Sequence, residues 1–307
     1  MEKSVINDNY AIYNSDSVDV LGAIPNESIG YSIFSPPFPE LYNYTDLSED
    51  LGNCKNYDEF LIHFRFIIKE LYRIIKPGRS VSIHCMDIPI KKQTHGYIGL
   101  IDFPGDIIRE FQKENFIYHS RVTIWKDPLI QAVRTHALTL AHKQIVKDSS
   151  VCANGLADYL ITMRKPGDNK DFISHPNGFT EFIGNTESEP KVDGIKYSHY
   201  VWQKYASPVW MDINQSNTLQ KKSAKDFNDE KHICPLQLDV IERGIELWSK
   251  TGDTVLSPFM GIGSEGHIAL LKNRKFIGIE LKKSYYILAE KNLNDSLNEA
   301  KSKSLFK

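Results

Sequence analysis

The sequence predicts an α/β fold: a doubly wound, mostly parallel sheet with one antiparallel hairpin strand. Three observations predict it. Short, nearly continuous apolar runs alternate with longer segments of helical period. One run, "DTVLSPF", enters a glycine loop, "MGIGS", that leads directly into a helical segment. Two further runs, "IYHSRVTIWKD" and "ADYLITMRKP", read as strands that pair as a hairpin.

Each element follows in order. "AIYNSD" is a short strand closing on polar residues, and "SVDVLGAI" a short helix with Ser17 as its N-cap. "IGYSIF" is apolar almost throughout, as a strand buried on both faces must be. It stops at Ser35-Pro36-Pro37-Phe38, because two prolines lack the N–H and the φ freedom that a central strand requires. In "YDEFLIHFRFIIKELYRIIKPG" apolar residues recur at 60, 61, 64, 67, 68, 71, 74 and 75, a helix closed by Lys76-Pro77-Gly78. "RSVSIHCMD" is a strand, and "DFPGDIIREFQKENF" a helix with Pro104 in its first turn. Between the two hairpin strands, residues 128–157 form a helical insert too long for a turn. Residues 166–232 are polar with sparse apolar anchors and read as an irregular insert. The α/β pattern then returns. "PLQLDVIERGIELWS" is a helix, "DTVLSPF" a strand, "EGHIALLKN" a helix, "KFIGIEL" a strand, and the C-terminal helix turns polar towards its end. The domain reading is therefore 1–165 and 233–307 as two halves of one domain, with 166–232 inserted between them.

Composition narrows the function classes. The 307 residues with 41% hydrophobic content suffice for one large domain with an insert. No apolar run reaches the about eighteen residues of a membrane span. The start, "MEKSVINDNYAIYNSD", has no apolar core of a signal peptide. Both predict a cytoplasmic protein with no membrane partner. Cys54, Cys85, Cys152 and Cys234 form no CxxC pair, which argues against structural disulfides and a zinc site. Net charge is −2, yet residues 1–60 carry −9 and the remainder +7. That asymmetry suits either a solvated acidic end or a basic face for a polyanion.

Two loops carry the chemistry. Phe259-x-Gly261-x-Gly263 lies between a strand and a helix, where glycines allow a tight turn and a close approach to a ligand. The next strand ends in Glu280, seventeen residues after Gly263, a position suited to ribose hydroxyls. Gly261, Gly263 and Gly266 match GxGxxG, but Phe259 precedes them and no second nucleotide-binding half follows. This favours a nucleoside with a short charged tail over a dinucleotide; S-adenosyl-L-methionine fits.

Ser35-Pro36-Pro37-Phe38 beside an adenosyl site resembles the catalytic loop of amino-group DNA methyltransferases. SPPF first and FxGxG last resembles the permuted beta group of that family. "YHSRVTIWKDP", "ADYLITMRKPGDN" and "HICPLQLDVIERGIELW" resemble its phage and prophage branch, which implies a bacterial or phage-infected host cytoplasm. The resemblance covers nearly the whole chain. It implies a Rossmann-like S-adenosylmethionine-dependent methyltransferase fold, and methyl transfer to N4 of cytosine or N6 of adenine in double-stranded DNA. Monomer and homodimer both remain open.

The residue types suit that reaction. An exocyclic amine conjugated to a base ring is a poor nucleophile. Acceptors around its N–H groups draw the nitrogen towards sp³, and Ser35 Oγ with the Pro36 carbonyl are such acceptors. Pro36 and Pro37 hold that carbonyl in place. Phe38 offers a face on which an extruded base stacks.

The resemblance implies further roles. Asp16 stands where the family acid contacts the cofactor adenine, a place a helix-capping Asp would also take. His232, Pro235 and Gln237 precede the helix whose N-terminus lies under the cofactor carboxylate. Ser257 departs from the usual Asp-Pro-Phe, losing the charge that pairs the cofactor ammonium. Ser35, where adenine enzymes commonly carry Asp, leans the chain towards N4-cytosine. Arg134 and Lys143 are candidate phosphate contacts. Lys204, Asn214 and Gln215, in the insert, are candidate base readers. Two other readings remain open: a catalytically silent DNA- or nucleoside-binding protein, favoured by Ser257, and methylation of RNA or of a protein glutamine.

Overall fold

A computed structural model describes residues 3–38, 51, 54, 56–90, 95–135, 142–150, 152, 154–175, 179, 191–192, 194–219 and 236–305. Pairing of its strands sets the frame for the site. The strands of the main sheet are β1 (Lys3–Ile6), β2 (Tyr10–Asn14), β3 (Ile29–Phe34), β4 (Ile75–Met86), β7 (Ile117–Ile124), β8 (Asp158–Arg164), β11 (Val209–Trp210), β12 (Thr254–Ser257) and β13 (Lys275–Glu280). Their spatial order is β1-β2-β13-β12-β3-β4-β8-β7-β11. Two small hairpins lie outside it, β5 (Ile88–Ile90) with β6 (Gly99–Ile101) and β9 (Lys191–Val192) with β10 (Ile195–Lys196).

Strands β2, β13, β12, β3 and β4 run parallel. β8 is antiparallel to β4 and to β7, the hairpin that the sequence predicts. A second reversed strand, β1, pairs antiparallel with β2 at the edge. All six residues of β3 are buried, as its apolar run demands.

Helices cover both faces of this sheet. On one face lie α1 (Ser17–Ala23), α2 (Tyr57–Ile74) and α3 (Phe103–Lys113), packing Leu21, Phe64 and Phe111 against Phe34, Ile83 and Met163. Two short helices of the insert, α4 (Pro128–Thr135) and α5 (His142–Lys147), and α6 (Tyr197–Ala206) follow in the chain. On the opposite face lie α7 (Leu238–Trp248), α8 (Ser264–Leu271) and α9 (Lys283–Leu305), packing Ile241, Ala269 and Leu293 against Tyr31, Val255 and Phe276.

Three local readings change. α2 ends at Ile74, and Ile75 to Met86 continue as β4, so Pro77 and Gly78 lie in the strand. Gly78 sits at φ +72°, and Arg73, in the last turn of α2, reaches instead to the carbonyls of Leu21 (2.8 Å) and Ile24 (2.7 Å) at the end of α1. The N-cap of α1 is Asp16, not Ser17. Asp16 has extended backbone and its carboxylate accepts the Val18 N–H at 3.0 Å, whereas the Ser17 hydroxyl donates to the Pro258 carbonyl. Thirdly, Val209 and Trp210, in the stretch read as irregular, extend the main sheet beside β7, with the Trp210 side chain buried.

Candidate active site at the carboxyl edge of the sheet

The chain departs from β12 and β3 in opposite directions across the sheet, so a crevice opens between their carboxyl ends. Ligands of doubly wound sheets bind at such a switch point. The register brings the two loops of interest to it, because Leu256 lies opposite Ser32 in adjacent parallel strands.

The β12 side is built by the glycine loop. Ser257 is fully buried, and its hydroxyl has no hydrogen-bond partner within the described structure. Phe259 folds back into the core, 5.7 Å from the Phe34 ring and 6.5 Å from Phe64. Met260 N–H donates to the Ile279 carbonyl at 2.9 Å, fastening the loop to β13. Gly261 and Gly263 take φ of +53° and +87°, a region that disfavours side chains. A Cβ at Gly261 would meet nothing within 4 Å. Gly261 N–H donates to Glu280 Oε2 at 2.9 Å, and Lys282 N–H to Glu280 Oε1 at 2.8 Å. A carboxylate has about four acceptor sites, so these two N–H groups do not exhaust its capacity to take hydroxyls.

Asp16 stands close by, since Ser15 N–H donates to the Glu280 carbonyl at 3.3 Å and Asn14 Nδ2 to the same oxygen at 2.9 Å. Gln237 is the N-cap residue of α7, buried, with Oε1 lacking a partner within the described structure. Pro235 and His232 lie outside the described residues. Glu265, in the first turn of α8, is buried. Burial pushes its carboxyl up to about 8, a backbone hydrogen bond pulls it down, and the charge of Glu280 adds to the rise. These residues fit S-adenosyl-L-methionine. Among the described residues, open space stands over Gly261, buried acceptors on Ser257 and Gln237 lack partners, and an acid closes the second strand.

The β3 side carries Ser35 to Phe38. Phe34 lies opposite Ile83, which places Ser35 beside His84 of β4. Ser35 Oγ is 2.9 Å from His84 Nδ1. His84 Nε2 is 2.8 Å from Asp158 Oδ2, at the start of β8, and Lys126, just after β7, pairs with the same oxygen. Burial opposes the charge of Asp158. The His84 and Lys126 partners outweigh it and hold the carboxyl down to about 2. In the neutral imidazole, Nε2–H donated to the carboxylate leaves Nδ1 to accept the Ser35 hydroxyl proton; in the imidazolium both ring nitrogens donate. Phe38 is half-buried, its ring 5.9 Å from Phe103.

His84, Asp158 and Lys126 were not singled out in the sequence. A signal exists in "SIHCMD" and "ADYLITM", where a titratable group interrupts an apolar strand.

The expected DNA-facing residues are described only in part. Arg134 lies in α4 and Lys143 in α5, and their side chains fall outside the described residues. Lys204 lies over the Tyr200 ring at 4.7 Å and 3.5 Å from Asp212. Asn214 Oδ1 accepts the Ser216 N–H at 3.0 Å in a local turn, while its own N–H donates to Asp239. Gln215 Oε1 is buried without a partner within the described structure.

The DNA methylase family, of N6 and N4 methyltransferases, matches residues 29–291. The chain is 25% identical over 329 residues to the type II methyltransferase M.BglI of Bacillus subtilis, covering 92% of this chain and 85% of that protein. It is 26% identical over 274 residues to the orphan methyltransferase M.BamHII of Bacillus amyloliquefaciens, covering 87% and 89%. Among solved structures, a Thermus thermophilus protein described as a putative DNA modification methylase, complexed with S-adenosyl-L-methionine, superposes with a TM-score of 0.64. It is 20% identical, and the match covers 93% of each chain. The PvuII DNA methyltransferase, cytosine-N4-specific, superposes with a TM-score of 0.62 at 16% identity, covering 96% of this chain and 93% of that one.

Proposed function

The chain belongs to the DNA methylase family of N4-cytosine and N6-adenine methyltransferases, and from that premise we propose that it methylates N4 of a cytosine flipped out of double-stranded DNA. S-adenosyl-L-methionine is its cofactor and supplies the methyl group as an electrophilic sulfonium substituent. The carrying observation is a neutral hydroxyl, Ser35, where the amine must be received. The PvuII enzyme, a cytosine-N4-specific methyltransferase of similar fold, supports the same base.

The proposed roles combine the family resemblance with the chemistry of each residue. Gly261 and Gly263 admit the cofactor, Glu280 takes its ribose hydroxyls, and Asp16 faces its adenine. Ser257 and Gln237 offer neutral oxygens to the methionine moiety, with Pro235 leading into α7. Ser35 Oγ and the Pro36 carbonyl accept from the target amine, Pro37 stiffens the loop, and Phe38 stacks on the base. Arg134 and Lys143 are assigned to phosphates, and Lys204, Asn214 and the amide nitrogen of Gln215 to base edges.

The decisive experiment incubates the protein with methyl-labelled cofactor and duplex DNA, then digests to nucleosides. Label in N4-methylcytosine is expected. Label in N6-methyladenine overturns the base assignment, and DNA without label overturns the enzyme reading.

A further inference from the structure

We propose that His84, held by Asp158 and Lys126, is the proton acceptor that drives methyl transfer through Ser35. The inference rests on the amino-methylation reading above and concerns where the amine's proton goes.

Four neighbouring strands assemble the array. Ser35 follows β3, His84 lies in β4, Asp158 opens β8 and Lys126 follows β7. Ser35 Oγ to His84 Nδ1 is 2.9 Å, and His84 Nε2 to Asp158 Oδ2 is 2.8 Å. His84, Asp158 and Lys126 are all buried, whereas Ser35 is half-buried at the crevice. A buried charged group is retained when it is paired, and here each member is paired with the next. Lys126 shares Asp158 Oδ2 with His84 and adds to what holds that carboxylate ionised.

The direction of the hydrogen bonds matters. With Nε2–H donated to Asp158, Nδ1 takes the Ser35 proton, and the Ser35 lone pairs face the crevice as acceptors. Protonation of His84 reverses the bond. Nδ1–H then donates to Ser35, and a lone pair is lost to the target amine.

The step balances. The amine lone pair forms the N–CH3 bond as the S–CH3 bond breaks, and that electron pair stays on sulfur as a neutral thioether. The methylated nitrogen sheds one proton to Ser35 Oγ while the Ser35 proton passes to His84 Nδ1. The imidazolium rests against Asp158 and returns its proton to water after product leaves. General base catalysis of this kind contributes typically about 10²–10⁴-fold. His84 acts through Ser35 and is therefore a positioning and proton-accepting residue, not one that touches the base.

The test measures single-turnover methyl transfer to duplex DNA from pH 5.5 to 8.5, beside cofactor binding by calorimetry. Around His84 the titratable or charged groups are Asp158 from β8 and Lys126 after β7. Cys85 is its neighbour in β4, and Asp87 follows that strand near Asp102 and Arg121. The wild-type rate should fall as imidazole protonates. His84→Asn should lower the rate about 10²–10⁴-fold, abolish the acid limb and leave cofactor affinity within about twofold. Ser35→Ala keeps the buried array intact and guards against a folding defect at position 84; its residual rate should lose the same limb. In the double variant no further loss should appear, because the two act as one unit. Asp87→Asn should keep the limb. Persistence of the limb in both Ser35→Ala and His84→Asn overturns the proposal, as does its disappearance in Asp87→Asn. A rate loss that merely tracks lost cofactor affinity overturns it too. A wild-type protein that labels no DNA overturns the methylation reading, and this inference with it.

Discussion

The Gly261 amide and the Glu280 carboxylate are joined at 2.9 Å, so the loop after β12 and the end of β13 form one rigid rim. Glu280→Ala frees that loop and removes the candidate ribose acceptor together. A hydrogen bond to a charged group contributes about 1.5–3 kcal/mol. Cofactor affinity measured by calorimetry should therefore fall roughly ten- to a hundredfold. Unchanged affinity would place the ribose elsewhere.

Gly261→Val tests the space above the same loop. Nothing among the described residues lies within 4 Å of a Cβ there, so the variant meets no clash, although valine at φ +53° is strained and its folding is checked by circular dichroism. The added isopropyl group would enter the cofactor volume. Wild-type thermal stability should rise with S-adenosyl-L-methionine concentration by linkage, and the variant should show no rise.

Pro36→Ala and Phe38→Ala act on the other wall. Phe38 packs at 5.9 Å on Phe103, and Pro36 is buried at the end of β3, yet neither belongs to the glycine loop. Methyl transfer should drop by about 10²-fold, typical of a lost preorganised contact. Cofactor-induced thermal shift should stay near wild type. Equal loss of both activities would mean that this loop holds the cofactor instead.

Glu265 makes stability fall as pH rises. Burial, offset in part by a backbone hydrogen bond and reinforced by Glu280, raises its folded carboxyl to about 8 from the ordinary 4.5. The folded protein keeps a proton that the unfolded chain has lost, so stability present below about pH 4.5 is lost progressively up to about pH 8. Asp158 works in the opposite sense, its contribution vanishing as pH falls from about 4 towards about 2. Glu265→Gln should raise denaturant stability at pH 8 by roughly 4 kcal/mol and leave it nearly unchanged at pH 4. Equal effects at both values would show that packing, not ionisation, governs this site.

Arg79 and Asp253 form a buried pair at 2.8 Å. Gly30 makes room for it, since a Cβ there would come within 2.7 Å of Asp253 Cγ. Asp253→Ala leaves the guanidinium buried and without that partner, at a cost of about 3–5 kcal/mol in equilibrium unfolding. A change under about 1 kcal/mol would mean that Asp171, 3.5 Å from Arg79, substitutes for it.

The sequence by itself determined the parallel core of the sheet, the β7–β8 hairpin and the helices on either side, because each depends on a period read over a few residues. The two loops were legible for the same reason. Pro36-Pro37 and Gly261-x-Gly263 impose their backbone conformation locally, whatever surrounds them. Apart from that hairpin, the tertiary structure alone decided which strands are neighbours. His84 and Asp158 are 74 positions apart, and no periodicity states that β4 and β8 lie side by side. It also decided that Asp16 caps α1 while Ser17 reaches across to Pro258, a choice between two adjacent oxygens that local propensity leaves nearly equal. The edge strands β1 and β11 escaped for a related reason. Four and two residues long, they are held by pairing with β2 and β7 rather than by a pattern of their own.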